Sequence, residues 1–225
     1  MQKPVVIKPS NSGGSRGVTV DAFTLDDFQV AWKTAADEAG NHGTVLLEEF
    51  ARGVELRALV VGDRVVSIVA RIQAHVVGDA HFTLGQLIDK MKEERSVHYR
   101  STQLEVEIDW SFIQRQGLVE ESVPGKNQII LLNAFGLPAA GAFLVDVSDS
   151  VDPAISKVAV QAAEAIPDPE TGGVDLLVDN IVNPGSIIVL EVNTAPSLNL
   201  HRYVTHGLVR EVTDDIVDHF LGEIA

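Results

Sequence analysis

Strands joined by tight turns, rather than by long helical crossovers, predict an α+β fold built mainly on antiparallel sheets. Two hairpins carry that prediction. "VELRALVV" and "RVVSIVARIQA" flank Gly62-Asp63, a hairpin signal. "GVDLLVDNIV" and "IIVLEVN" flank the turn "NPGS". Amphipathic helical stretches stand beside these hairpins without strict strand–helix–strand alternation.

Val5–Ile7 and Gly17–Ala22 read as short β-branched strands around a Gly/Ser turn. "TLDDFQVAWKTAADEAG" reads as a helix capped by Thr24, with acids in its first turn and Gly40 as its stop. Phe28, Trp32 and Ala35 or Ala36 share one face of it. "TVLLEEF" is expected to be a buried strand, and the first hairpin follows. "TLGQLIDKMKEE" and Ser111–Gln116 are expected helices; "NQIILLNAF" and "GAFLVDVS" are expected strands. Asp152 to Ala165 is a further amphipathic helix, the second hairpin comes next, and Thr213 to Ile224 closes the chain as a helix. A hinge near Phe50–Gly53 is expected to separate a front lobe, residues 1–51, from a back lobe, residues 52–225. No internal repeat is visible.

The chain has 17 basic and 32 acidic residues, a formal net charge of −15. That disfavours bulk binding to nucleic acid or to anionic membrane. A small anion needs only a local cluster of cations and backbone N–H groups, so it is not excluded. There is no cysteine, which excludes disulfides, thiolate metal sites and thiol catalysis. No apolar run approaches the ~20 residues of a membrane span. The start "MQKPVV" lacks the regions of a signal peptide. A cytoplasmic location is expected.

The stretch "VVIKPSNSGGSRGV" offers closely spaced backbone N–H groups from Asn11 to Gly17. Gly13, Gly14 and Gly17 have no side chain to obstruct an anion. Lys8 stands on the preceding strand and Arg16 at the loop tip. It is neither a Walker loop nor G-x-G-x-x-G. Alone, it is more often a solvated turn. Downstream, Glu191 and Asn193 are two apart and face one side of their strand. The hairpin turn could bring Asp175 alongside. Two carboxylates and an amide oxygen make an oxygen-only donor set that suits Mg²⁺ carrying phosphate oxygens. In "LLEEFARGVELR", the segment around Glu48 and Glu49 offers free backbone groups to an adenine edge, and Glu55 a carboxylate to ribose hydroxyls. The seven histidines show no metal-ligand spacing.

These stretches, with "AHVVGDAHFTLGQLID", "EVNTAPSLNLH" and "HGLVREVTDDIVD", resemble in their order the ATP-grasp superfamily. Within it the chain is similar to the ATP-grasp module of cyanophycin synthetase and of the bifunctional glutathione-forming enzyme, from Val5 to the C-terminal helix. The resemblance implies two lobes with the nucleotide between them. It implies that Lys8 contacts the α/β-phosphates and that Ser12, Gly13, Gly14, Ser15, Arg16 and Gly17 form a flap over them. Glu48, Glu49, Phe50 and Ala51 would meet the adenine, and Glu55 the ribose. Asp175, Glu191 and Asn193 would hold Mg²⁺, with Mn²⁺ able to replace it. Arg71 would meet the γ-phosphate or acyl phosphate as the catalytic arginine. Arg57, Asn199, His201 and Arg210 would contact substrate.

The implied activity is ATP-dependent ligation of a carboxylate and an amine through an acyl phosphate, on an amino acid or peptide. The alternative is a degenerate, non-catalytic module with a regulatory or assembly role. A kinase on the same lobes would need a hydroxyl-acceptor motif, and none is seen. Two departures stand out. Lys8 lies close to residue 1, so an upstream substrate domain, or a homo-oligomer partner, is expected to complete the enzyme, and the isolated chain is not expected to be active. "LLNAFGLPAAGA" places Asn133 where the family carries an arginine, and Ala139–Ala140 where it carries Ser-Thr.

Overall fold

The computed structural model describes residues 3–14, 16–96, 105–134, 136, 138–167 and 170–222. The chain divides into two compact units, Met1–Arg52 and Gly53–Ala225.

In the first unit, β1 (Val5–Pro9) lies between β2 (Thr19–Ala22) and β3 (Val45–Glu49), both antiparallel to it. Helix α1 (Leu25–Ala39) packs chiefly over β1. Its start is fixed by a capping box. Thr24 Oγ1 accepts from the Asp27 amide at 3.1 Å, and the Asp27 carboxylate accepts from the Thr24 amide at 2.9 Å. Asp26 and Asp27 also suit the positive end of the helix dipole. The core consists of Ile7, Ala22, Ala31 and Ala35, with Val5, Phe28 and Val45 packed on it. Trp32 stacks on Phe28 at 5.7 Å yet stays 44% exposed.

The expectation of a buried strand at "TVLLEEF" is not met. Beyond Val45, β3 is exposed, including Leu46 and Leu47. It is an edge strand, and an apolar run buries a strand only where a second layer covers it.

The second unit is built on five antiparallel strands, in the order β10 (Ile187–Asn193), β9 (Thr171–Val178), β4 (Val54–Val61), β5 (Arg64–Ile72) and β8 (Phe143–Asp146). Gly62, at φ 57°, closes the β4–β5 hairpin. Alternation divides the sheet cleanly. One face presents Leu56, Ala58, Val60, Ile68, Ala70, Val174, Leu176 and Val178. Helix α4 (Pro153–Glu164) lies on it through Ile155, Ala159 and Ala163, four residues apart on one helical stripe. Burying an isoleucine such as Ile155 is worth about 1.5–3 kcal/mol. The opposite face carries Glu55, Arg57, Arg71 and Asp175.

Between β5 and β8 the chain builds a satellite layer. It consists of β6 (His75–Val77), α2 (Leu84–Ser96), α3 (Trp110–Arg115) and β7 (Ile129–Leu131), with β6 and β7 antiparallel. Its core holds Leu84, Ile88, Met91, Ile113, Ile130 and Leu132. The three-residue β6 is too short to show a period in the sequence, as is α5 (Asn199–Arg202) near the C-terminus.

The free edge of β8 is covered by the segment after α5. His206 bridges Val145 in parallel, and the Asp146 amide donates to His206 O at 2.9 Å. Gly207 follows at φ 92°, where a Cβ would stand 2.9 Å from Asp146 Cβ. Helix α6 (Val212–Gly222) then packs on β4 and β5. No described helix is long and apolar enough to cross a membrane.

Candidate functional site

Strand register assembles the charged row on the second unit's sheet. Arg57 on β4 lies opposite Asp175 on β9, and Asp175 lies opposite Glu191 on β10. Glu55 on β4 lies opposite Arg71 on β5. The side chains link in the same order. Arg57 donates from Nε to Asp175 Oδ1, and from Nη2 to Oδ2 at 2.9 Å. Arg71 Nη2 contacts Asp175 Oδ2 at 3.1 Å and donates to Glu55 Oε1. Asp175, Arg57 and Arg71 are nearly closed to solvent, with side chains 5%, 8% and 8% exposed. Breaking such a buried pair from one side costs about 3–5 kcal/mol, because the remaining charge is uncompensated. Burial holds the Glu55 carboxyl above its usual range. Arg71 pulls it down and Asp175 adds to the rise.

Glu191 is exposed, and Asn193 Nδ2 donates to Glu191 Oε1 at 3.0 Å. That bond uses Nδ2 and not the Asn193 carbonyl oxygen. No three His, Cys, Asp or Glu side chains form a metal cage among the described residues. Two carboxylates and an amide oxygen still fit Mg²⁺, which keeps waters and phosphate oxygens as its other ligands.

Two glycines that sequence reasoning missed shape this row. A Cβ on Gly173 would stand 3.0 Å from Arg57 Nη1 and 2.7 Å from Pro196 Cβ. The Arg57 side chain therefore runs through the space that the missing side chain leaves. A Cβ on Gly136 would stand 2.8 Å from Glu55 Oε2. Glycine within a strand pattern, as in "TGGVDLL", is the available signal for such close approach.

His201 is fully buried, with Nδ1 2.8 Å from Ser67 Oγ on β5. Burial, and then the Arg57 charge, push its pKa down to about 4, so the ring is neutral at physiological pH. Arg210 does not join the row; its guanidinium is taken by Asp146 at 3.0 Å and Asp149 at 2.6 Å. Asn199 is exposed at the start of α5. Asn133 is buried, and its Nδ2 donates to Glu107 O and Ala140 O, both at 2.9 Å. It ties two chain segments together.

In the first unit, Lys8 Nζ pairs with Glu48 Oε1 at 2.8 Å, and Lys3 with Glu49 at 2.9 Å. The glycine loop leans on α1. Ser12 Oγ and Arg16 Nε both donate to Glu38 Oε1, at 2.9 and 2.8 Å, and lower the Glu38 pKa. Gly14 and Gly17 have φ of 64° and 71°, which glycine adopts without strain. Gly13 is exposed, Phe50 and Ala51 are half-buried, and Ser15 lies outside the described residues.

No protein-family model matches the chain. It is 29% identical over 223 residues to the cyanophycin synthetase of Crocosphaera subtropica, covering 96% of this chain and 25% of that protein. It is 28% identical over 227 residues to the glutathione biosynthesis bifunctional protein GshAB of Clostridium perfringens, covering 95% of this chain and 28% of that one. The chain thus spans about a quarter of the length of the curated relatives it matches. Among solved structures, the bifunctional glutathione synthetase of Pasteurella multocida superposes with a TM-score of 0.67 at 26% identity, over 98% of this chain and 32% of that one. Over nearly its whole length the chain is similar to one stretch of the cyanophycin synthetases and bifunctional glutathione synthetases, and its α+β architecture is an ATP-grasp fold.

Proposed function

We propose that this chain is the ATP- and Mg²⁺-binding part of a carboxylate–amine ligase acting on an amino acid or peptide. One observation carries the reading: the row Glu55–Arg71–Asp175–Arg57, with Glu191 and Asn193 on the neighbouring strand. It gathers cationic donors for a phosphoryl group and oxygen donors for a divalent cation on one sheet face.

In the proposed reaction a carboxylate oxygen attacks the γ-phosphorus of ATP, ADP leaves, and an acyl phosphate forms. An amine attacks the acyl carbon, inorganic phosphate leaves, and the amine loses a proton as the amide forms. No side-chain nucleophile is needed. Catalysis is positioning and charge neutralisation. Arg71 meets the transferring phosphoryl oxygens and Arg57 orients the acceptor. Lys8 and the loop Ser12–Gly17 take the other phosphates, with Ser15 included in that assignment. Glu48 to Ala51 take the adenine edge and Glu55 the ribose. Asp175, Glu191 and Asn193 would hold the cation, which supplies positive charge to phosphate oxygens. Recognition of the two substrates is assigned largely to sequence outside this chain, or to a second copy of it. Cytoplasmic ATP supply suits the reaction.

A second reading is a module of the same fold that binds nucleotide, or nothing, in a regulatory or assembly role. Asn133 favours it. At the position where an arginine is expected, its amide is committed to two backbone carbonyls.

Titration calorimetry with ATP and Mg²⁺ tests the main reading. Binding is expected, and Asp175→Asn combined with Glu191→Gln is expected to abolish it. Lys8→Ala is expected to weaken it tenfold or more, about 1.4 kcal/mol, with little change in melting temperature. Absence of heat from the intact chain would defeat the ligase reading.

A further inference from the structure

Asp175 carries more cation than one metal ligand needs. Both of its oxygens are engaged: Oδ1 by Arg57 Nε, and Oδ2 by Arg57 Nη2 and Arg71 Nη2. A divalent cation on either oxygen would sit within a few ångströms of two guanidiniums, and like charges in a nearly dry site repel strongly. That surplus of positive charge favours the departure of one arginine, and the two are not held equally.

Arg57 is bidentate on Asp175 and threads the space above Gly173, where its Nη1 would crowd any Cβ. Arg71 Nη2 stands 3.1 Å from Asp175 Oδ2 as an ion-pair contact, beside the two hydrogen bonds that Arg57 makes to the same carboxylate. That same nitrogen donates to Glu55, so Arg71 has an anchor of its own when Asp175 is taken from it. Its Nε is buried and has no hydrogen-bond partner among the described residues, which leaves a donor in reserve. An unpaired buried donor is costly, and it favours any arrangement that brings an oxygen to it.

The geometry points to Arg71 as an exchangeable counter-ion: it neutralises Asp175 in the metal-free chain, and is turned to an anionic oxygen of the substrate when a divalent cation takes Asp175 Oδ2. The inference rests on the proposed metal role of Asp175. It adds a coupling. Cation loading and release of the arginine become one event, so the catalytic arginine is presented only when metal is in place. It also makes the site weak for metal alone, because the cation must displace a resident charge.

The test uses Mn²⁺ alone, followed by water-proton relaxation, on the intact chain. Arg71→Gln is expected to tighten Mn²⁺ five- to tenfold, the opposite of what loss of a binding residue does. Asp175→Asn is expected to weaken it more than tenfold. Arg64→Gln, which removes a surface arginine paired with Asp215, is expected to change it less than twofold and calibrates long-range charge. An Arg71 variant that binds Mn²⁺ no better than the parent overturns the proposal.

A second measurement needs no arginine variant to fold. In the ¹⁵N-labelled chain, Mg²⁺ is expected to shift the Arg71 Nε–H signal further than that of Arg57, which keeps its Nε bond to Asp175 Oδ1. An Arg71 signal unmoved at saturating Mg²⁺ also overturns it. The two readings fail separately. ATP binding without a gain in Mn²⁺ affinity in Arg71→Gln sinks the exchange and leaves the ligase reading. The gain without ATP binding by the parent chain does the reverse.

Discussion

His201 shows how a buried side chain records its surroundings. Closed to solvent and near the Arg57 charge, its ring has a pKa of about 4 in place of 6.5. The folded chain therefore resists a proton that the unfolded chain accepts. Stability from this source is fully present above pH 6.5 and is lost as pH falls from 6.5 towards 4. Between pH 7 and pH 5 the loss is about 2 kcal/mol. Urea denaturation at the two pH values is expected to show it, and His201→Gln is expected to remove most of that difference. An unchanged difference in the variant would assign the acid sensitivity elsewhere. At this scale the sequence was only partly legible. Asp175 and Glu191 could be paired on paper because a short turn joins their strands. The Arg57–Asp175 bond joins residues 118 apart in sequence, and no local pattern announces which strand will lie beside β4. Gly173 and Gly136 went unnoticed for the same reason. Their importance lies in a neighbour from another strand.

Among the elements, β8 is four residues long and lies at the edge of its sheet. An unprotected edge is a template for further pairing. The segment from Thr205 to Gly207 occupies that edge, with the Thr205 and His206 amides both donating to Leu144 O. Gly207 permits the close passage. Gly207→Ala is expected to cost about 1–3 kcal/mol, through its positive φ and its clash with Asp146. Faster hydrogen exchange at the Asp146 amide is expected with it. A variant as stable as the parent would mean that the backbone can shift without loss. Element types were well written in the sequence where length and period agreed, as in α1, α4 and the β4–β5 hairpin. They failed where a tertiary layer decided the outcome. β3 has the composition of a core strand and the position of an edge.

For the whole molecule, the contrast between the two units is one of size. The core of the first unit is Ile7 and a few alanines, whereas the second has a twelve-residue core under α4 and another beneath α2. Small cores give marginal stability. The two tryptophans fall one in each unit, Trp32 on α1 and Trp110 on α3. Urea unfolding followed by Trp32 fluorescence in Trp110→Phe is expected to precede that followed by Trp110 in Trp32→Phe. Coincident transitions would show that the units unfold as one. The antiparallel α+β class was legible from hairpin turns alone, because a tight turn leaves adjacent strands no other direction.

The alternation along β4 has a further consequence. Leu56, Ala58 and Val60 belong to the core beneath α4, while Glu55 and Arg57, interleaved with them, belong to the charged row. One strand is both the wall of the hydrophobic interior and the floor of the chemistry. A methylene lost from Leu56 would leave a void behind the strand that aims these two charged groups, on the face opposite to theirs. On this strand, packing and reactivity cannot drift independently. The site can be retuned from behind, by changes that no inspection of its own surface would reveal.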